Sequence, residues 1–177
     1  CLGTDLLVGL AKGHVWEGVS SRADNDAVFV PNMPTEEVFT APDKYRVNGR
    51  VYATKPLNYQ GKMIHNFWFV FQDGKVCEYG AESGEDVLKN LVEFDAGSAY
   101  LGEVALVPDD SPISRSGLLF LTTLFDENAS CHMALGIGFS ECIKGGIDMD
   151  KKELFEKGVN DSLVHVDFMM GTEDLMI

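Results

Sequence analysis

The stretch MIHNFWFVFQDGKVCEYGAESGEDVLKNLVEF, residues 63–94, contains both kinds of regular structure in close succession. Its first part, 63–71, is rich in aromatic and β-branched residues, and the Asp-Gly turn that follows leads into a second strand. A capping-box pattern at 83–86 then precedes four apolar residues at helical spacing, which predicts a helix over about 84–94. A hairpin followed directly by a short helix is typical of an α+β fold.

The rest of the chain extends this pattern. Residues 51–80 are β-like throughout, LGEVALV (101–107) indicates a buried strand, and a capping-box pattern at 150–153 opens a second short helix. LLFLTTLF (118–125) is apolar throughout, so its periodicity does not distinguish strand from helix. We therefore predict a single α+β domain over residues 1–177, with a mixed β-sheet and a few short helices.

Composition excludes some classes of partner. The 177 residues carry a net charge of −14, which would repel the phosphates of nucleic acid. No apolar run reaches the roughly 18 residues needed to span a bilayer, so we expect no membrane partner. The four cysteines are scattered and form no CxxC pair, which favours reduced thiols and a cytoplasmic protein. Because the chain opens on Cys1 and enters strand-like sequence at once, we expect it to be a piece of a longer polypeptide.

A metal-ligand pair occurs in VHVDFMMG (164–171), which reads as a strand. Side chains alternate between faces along a strand, so His165 and Asp167 point the same way. An imidazole nitrogen and a carboxylate oxygen one pleat apart can bind one divalent cation. The pair alone is a weak signal, and its value depends on other ligands elsewhere.

Other carboxylates stand in apolar or turn contexts. Glu103 lies inside LGEVALV, where a charge needs a cation, a hydrogen-bond donor or an exposed position. Glu127 and His132 follow the apolar run at 118–125, in a polar segment that is either a loop or a ligand-bearing turn. Glu36 and Glu37 follow a proline-bounded turn at 31–34, and they either cap a helix or divide metal binding and proton transfer.

Together these residues suit a pair of divalent ions bridged by one carboxylate, an arrangement that lowers the pKa of a bound water and polarises a carbonyl or phosphoryl oxygen. The remaining histidines fit less well. His14 lies in a glycine-containing loop and His65 within the aromatic strand, so we interpret both as structural.

Five ordered motifs resemble the M29 family of metallo-aminopeptidases, the aminopeptidase T, S and II group. They are PNMPTEEVFT (31–40), TKPLNYQG (54–61), LGEVALV (101–107), LFDENASCH (124–132) and HVDFM (165–169). The resemblance implies a cytosolic two-metal hydrolase, usually a homodimer, that removes N-terminal amino acids from peptides. It also implies an N-terminal α/β domain that this chain lacks, so the 1–177 unit would be the catalytic part of a two-domain protein.

The resemblance further implies a set of site residues and two divalent ions, Zn, Co, Mg or Mn. The implied metal ligands are Glu37, Glu103, Glu127, His132, His165 and Asp167, with Glu103 shared by both ions. Glu36 is our candidate catalytic residue for proton handling. One departure stands out: where the family usually has tyrosine seven residues after the matching histidine, this chain has Phe139.

Two other functions remain open from the sequence. A two-metal phosphoesterase would use the same kind of site, although such sites usually add basic residues and this chain is strongly acidic. A degenerate domain that binds metal or self-associates without turnover is the second alternative, and Phe139 favours it.

Overall fold

The computed structural model describes residues 3–18, 20–30 and 36–177. The strands are β1 (Asp5–Leu10), β2 (Glu17–Gly18), β3 (Ser21–Arg22), β4 (Val28–Phe29), β5 (Val38–Thr40), β6 (Pro42–Tyr52), β7 (Leu57–Tyr59), β8 (Lys62–Ile64), β9 (Trp68–Gln72), β10 (Lys75–Gly80), β11 (Leu101–Leu106), β12 (His132–Gly136) and β13 (His165–Met169). The helices are α1 (Glu85–Val92), α2 (Pro112–Ser116), α3 (Thr123–Asp126) and α4 (Lys151–Glu156), with short 3-10 turns at Glu127–Ala129, Ser140–Cys142 and Gly146–Asp148. Cys1 and the expected turn at 31–34 lie outside the described residues.

Two antiparallel sheets organise the chain. One has the strand order β1-β6-β9-β10, and the other has the order β13-β12-β11-β5-β2. Apolar side chains from both sheets and from α1 form one buried cluster, which includes Val51 and Phe69 from the first sheet and Leu135 and Phe168 from the second. These antiparallel sheets and short helices confirm the α+β prediction.

The five-stranded sheet has one apolar face and one polar face. Met133, Leu135, Val166 and Phe168 belong to the buried apolar cluster, so the residues that alternate with them on β12 and β13 point to the opposite side. A β-bulge in β11 falls between Leu101 and Glu103. Because a bulge inserts one unpaired residue, Leu101 faces the core while Glu103, only two positions later, faces away from it.

The α1 helix has the predicted apolar face but not the predicted cap. Val87, Leu88, Leu91 and Val92 are buried, as their spacing indicates. The capping box expected at 83–86 is wrong: Gly84 is the N-cap, with φ 80°, and no side chain caps the helix. Glycine is needed there because a Cβ would lie 2.6 Å from the carbonyl oxygen of Met63. The capping box of Asp150 and Glu153 on α4 is confirmed.

Two apolar stretches differ from expectation. Residues 63–71 do not form one strand, because the chain bends at Asn66, with φ 48°, between β8 and β9. Residues 118–122 are irregular and only Thr123–Asp126 is helical. Leu118, Leu121 and Leu124 are exposed, so this apolar run does not enter the core.

The described part of the chain contains no helix that is long and apolar enough to cross a membrane. Among the described residues, Cys77, Cys131 and Cys142 are free thiols. Burial raises the pKa of the Cys142 thiol to about 12, so that residue is inert at neutral pH.

Candidate metal centre

Strand register gathers the predicted ligands on the polar face of the five-stranded sheet. Ala134 on β12 pairs with Glu103 on one side and with Asp167 on the other. Directly paired residues of antiparallel strands share a face, so both carboxylates point to the side that His132 and His165 also occupy. Glu37, which immediately precedes β5, joins them from the next strand along the sheet.

The ligand atoms form two groups that share Glu103. Glu37, Glu103 and His132 form one group, and Glu103, His165 and Asp167 form the other, each with ligand atoms within 4.8 Å of one another. The two oxygens of Glu103 are divided between the groups. Its Oε1 lies 3.5 Å from Nε2 of His132, whereas its Oε2 lies 3.4 Å from Nε2 of His165.

The remaining distances complete each group. Nε2 of His132 lies 3.2 Å from Oε1 of Glu37, and Nε2 of His165 lies 3.2 Å from Oδ1 of Asp167. Both groups are largely enclosed, because Glu37, Glu103, His132 and Asp167 are buried. Burying this many carboxylates is costly without compensating positive charge.

Both histidines are oriented as metal ligands require. Nδ1 of His132 lies 3.1 Å from the carbonyl oxygen of Ser130, and Nδ1 of His165 lies 2.9 Å from that of Ile137. Because a carbonyl can only accept, Nδ1 carries the proton in both rings, and in the neutral form the Nε2 lone pair faces carboxylates. Within the described residues, Nε2 of His132 is buried without a hydrogen-bond partner. A lone pair directed at carboxylates fits a cation between them, so these residues suit a divalent metal.

Electrostatics support the same conclusion. Burial alone lowers the pKa of His165, but Asp167 and Glu103 outweigh burial and raise that pKa to about 11. Burial likewise opposes the charge on His132, yet Glu103 and Glu37 raise its pKa well above the usual range. In the absence of metal, protons on the two rings therefore supply positive charge, which a cation would supply when bound.

Glu127 lies beside the two groups and belongs to neither. It lines a cavity of about 320 Å³ together with Glu37, Glu103, His165 and Asp167. Burial first, and then the charge of Asp167, raise the pKa of Glu127 to about 9. Its carboxyl therefore holds a proton at neutral pH when no cation is present.

The neighbours of Glu127 fix its position. The carboxylate of Asp126 accepts from the backbone N–H of Phe120 at 2.6 Å and from that of Thr122 at 3.0 Å. The fully buried Asn128 donates from Nδ2 to the carbonyl oxygen of Leu124 at 2.9 Å. These bonds hold the turn that directs Glu127 into the cavity.

The structure separates the other candidates from the groups. Glu36 is exposed and does not line the cavity, unlike its buried neighbour Glu37. His65 is exposed, and His14 bonds the carbonyl oxygen of Ala11 through Nδ1 at 3.2 Å. Both of these histidines lie outside the two ligand groups, as expected.

Sequence reasoning missed several residues that shape the site. Phe39 on the cavity wall had no local signal that distinguishes it from core residues, and Ala134, between the two carboxylates, had only the size alternation of its strand. Asp126 and Asn128 could be recognised only as polar residues flanking Glu127. The alternation of small and large residues in HMALG (132–136) was the one available signal for the small residues of the polar face.

Comparison with known proteins assigns the family. The family model described as "Thermophilic metalloprotease (M29)" matches residues 1–177. This chain belongs to that family. It is similar to aminopeptidase AmpS of Bacillus subtilis (strain 168), with 54% identity over 99% of this chain and 43% of the relative. It is also similar to aminopeptidase T of Thermus aquaticus, with 48% identity over 98% of this chain and 42% of the relative.

A solved structure agrees in fold as well. Wild-type AmpT from Thermus thermophilus superposes with a TM-score of 0.90 and 47% identity, over 97% of this chain and 42% of that one. The chain thus spans less than half the length of these M29 relatives. This share agrees with the expected fragment of a two-domain protein.

Proposed function

We propose that this M29 chain carries the site of a metal-dependent aminopeptidase, which hydrolyses the first peptide bond of a peptide. The single observation that carries the proposal is the division of the Glu103 oxygens between two histidine-containing groups. The names of the relatives, all aminopeptidases, support this reaction over other two-metal chemistry.

The chain's own residues define two adjacent positions for divalent ions, Zn, Co, Mg or Mn. Glu37, His132 and Oε1 of Glu103 would hold one ion, and Oε2 of Glu103, His165 and Asp167 would hold the other. Glu127, beside Asp167, is proposed as a further ligand. When bound, such ions lower the pKa of a water molecule and polarise a carbonyl oxygen.

The protein residues would then orient the peptide and move a proton. The acidic cavity, which also includes Glu141, favours a substrate that presents a positively charged α-amino group. Glu36 is proposed to pass the proton to the leaving amine. The exposed side chain of Glu36 does not line the cavity. The support for this role is therefore its position next to Glu37 in the chain.

The cavity disfavours phosphate esters as substrates. Its lining in the described part of the chain includes five carboxylates and neither lysine nor arginine. Sites that hold phosphate usually supply arginine or lysine for its oxygens.

We also propose that the protein acts as a cytoplasmic homodimer on peptides, as the family resemblance implies.

Metal analysis, together with cleavage assays on two panels of substrates, tests the proposal. We expect two equivalents of cobalt or zinc to bind, aminoacyl-nitroanilides to be cleaved, and phosphate esters to be left intact. Glu103→Gln should abolish cleavage and weaken both equivalents, whereas Glu156→Gln, on an exposed face of α4, should change neither. Two bound equivalents without cleavage would support the non-enzyme alternative, and phosphate release alone would reject the peptidase.

A further inference from the structure

His165 is restrained differently from His132. The side chain of His132 is 1% exposed, so surrounding atoms hold it on all sides. The side chain of His165 is 22% exposed and lines the cavity, where solvent or substrate gives no fixed support. A ligand on the open side of a site needs a specific contact to keep its ring in place.

The segment that follows β12 contacts the His165 ring twice. The carbonyl oxygen of Ile137 accepts from Nδ1 at 2.9 Å, which fixes the position of one ring atom. The ring of Phe139 lies with its centroid 4.7 Å from that of the imidazole, at an interplanar angle of 42°. The hydrogen bond leaves rotation of the imidazole plane free, and the aromatic contact limits that rotation.

Phe139 is anchored independently of the ligands. Its ring meets that of Phe39 edge-on, with centroids 6.0 Å apart and planes at 76°. It also packs against a small buried cluster that includes Ala41, Ile143 and Val159. Because these contacts hold the Phe139 ring in place, the ring restricts the position of the imidazole. A flexible side chain would not do so.

We infer that Phe139 is a positioning residue that holds Nε2 of His165 toward Glu103 and Asp167. It therefore acts on the ligand group of His165 and Asp167, and not on the group of Glu37 and His132. The inference rests on the proposed two-metal function for its consequence in metal binding. The orientation of the His165 ring is testable without metal.

The first experiment titrates cobalt into the unmodified chain and its variants, following the visible absorption of the bound ion. Phe139→Leu and Phe139→Met remove the flat ring, and each should weaken one equivalent by about tenfold or more while the other keeps its affinity. Phe139→Tyr keeps the ring and should bind both equivalents normally. Phe155→Leu, an exposed phenylalanine of α4, is the matched control and should have no effect.

The second experiment records the ring nitrogen resonances of the histidines in metal-free chains. The unmodified chain should show a single His165 signal set with Nδ1 protonated and hydrogen-bonded, and Phe139→Met should shift or broaden only that set. His132 is the internal control. Unchanged His165 signals in folded Phe139→Leu and Phe139→Met would overturn the inference.

The outcomes separate this inference from the proposed function. If the unmodified chain binds fewer than two equivalents, the two-metal proposal fails, and the ring nitrogen signals still decide the role of Phe139. If it binds two and both Phe139→Leu and Phe139→Met bind them with unchanged affinities, the positioning role fails alone. Equal weakening of both equivalents would also reject it, because that pattern indicates a general loss of structure.

Discussion

Ala134 lies directly opposite Asp167 in the pairing of β12 and β13, and it is fully buried. Its other cross-strand partner is Glu103, so a methyl group occupies the position between two carboxylates. A larger side chain at this position would extend over the face on which the ligand oxygens lie.

We predict that Ala134→Val reduces metal affinity more than it reduces stability. Overpacking a buried position costs about 1–3 kcal/mol, and the added methyl groups also fill space between the ligand groups. Ala99→Val is the control, because Ala99 is also buried but belongs to the main apolar core. We expect the two variants to have similar free energies of unfolding and only Ala134→Val to lose metal affinity. Equal metal affinities in the two variants would contradict the placement of the ligand carboxylates on either side of Ala134.

The stability of the metal-free chain should fall as pH rises through the neutral and alkaline range. The pKa of His165 is about 11 in the folded chain against an ordinary value of 6.5, and that of Glu127 is about 9 against 4.5. The folded state therefore binds more protons than the unfolded state, most strongly between pH 6.5 and 9. Stability is lost with rising pH at up to about 1.4 kcal/mol per pH unit for each extra proton.

Thermal unfolding with chelator at a series of pH values measures this slope. Zinc should flatten the slope because it displaces the same protons. His165→Gln should reduce the slope, whereas His65→Gln, at an exposed position, should leave it unchanged. A free energy of unfolding that rises with pH would show that His165 and Glu127 do not hold these extra protons in the folded chain.

Asp126→Ala should destabilise the turn that carries Glu127. The substitution removes the acceptor of two backbone N–H groups, those of Phe120 and Thr122, at a cost of about 1–3 kcal/mol. Asp109→Ala removes a carboxylate from an exposed loop position and should change stability by no more than about 0.5 kcal/mol. Urea unfolding compares the two, and equal midpoints would refute the anchoring role.

Gly136→Ala should damage the strand pair that carries His165. Gly136 pairs with His165 at φ 113°, and a Cβ there would lie 2.0 Å from the carbonyl oxygen of Val164. Gly13→Ala tests positive φ alone, because Gly13 has φ 80° and open space around its Cβ position. Gly136→Ala should lose both stability and cobalt binding, and Gly13→Ala should lose stability modestly and keep cobalt binding.

The sequence predicts this architecture well where periodicity is strong. The strand at 101–107, the hairpin that ends at β10, and both helices with apolar spacing or a capping box were found within a few residues. The errors arise where tertiary contacts override local pattern. Gly84 caps α1 because a backbone carbonyl approaches too closely for any other residue, and Asn66 interrupts an otherwise continuous aromatic strand.

The candidate site also combines residues that a local pattern predicts with residues that only tertiary structure brings together. The His165 and Asp167 pair follows from strand alternation alone, because ligands two residues apart share a face. The approach of Glu37, Glu103 and His132 depends on strand order and on the bulge after Leu101, which no local pattern contains. Their sequence contexts mark those residues as candidates, the family resemblance implies their roles as ligands, and the register of the sheet gives the physical reason for their convergence. The roles of all these residues as ligands, and those of Glu36 and Glu127, stay predictions.

If two ions bind as proposed, the shared carboxylate of Glu103 would link the two binding positions thermodynamically. An ion near Oε1 would withdraw charge from, and fix the orientation of, the same carboxylate that would serve a second ion through Oε2. Affinity at one position would then be a function of occupancy at the other, and by linkage the effect would be equal in both directions. Binding isotherms of such a site are described by a coupling free energy, and two independent dissociation constants would not describe them.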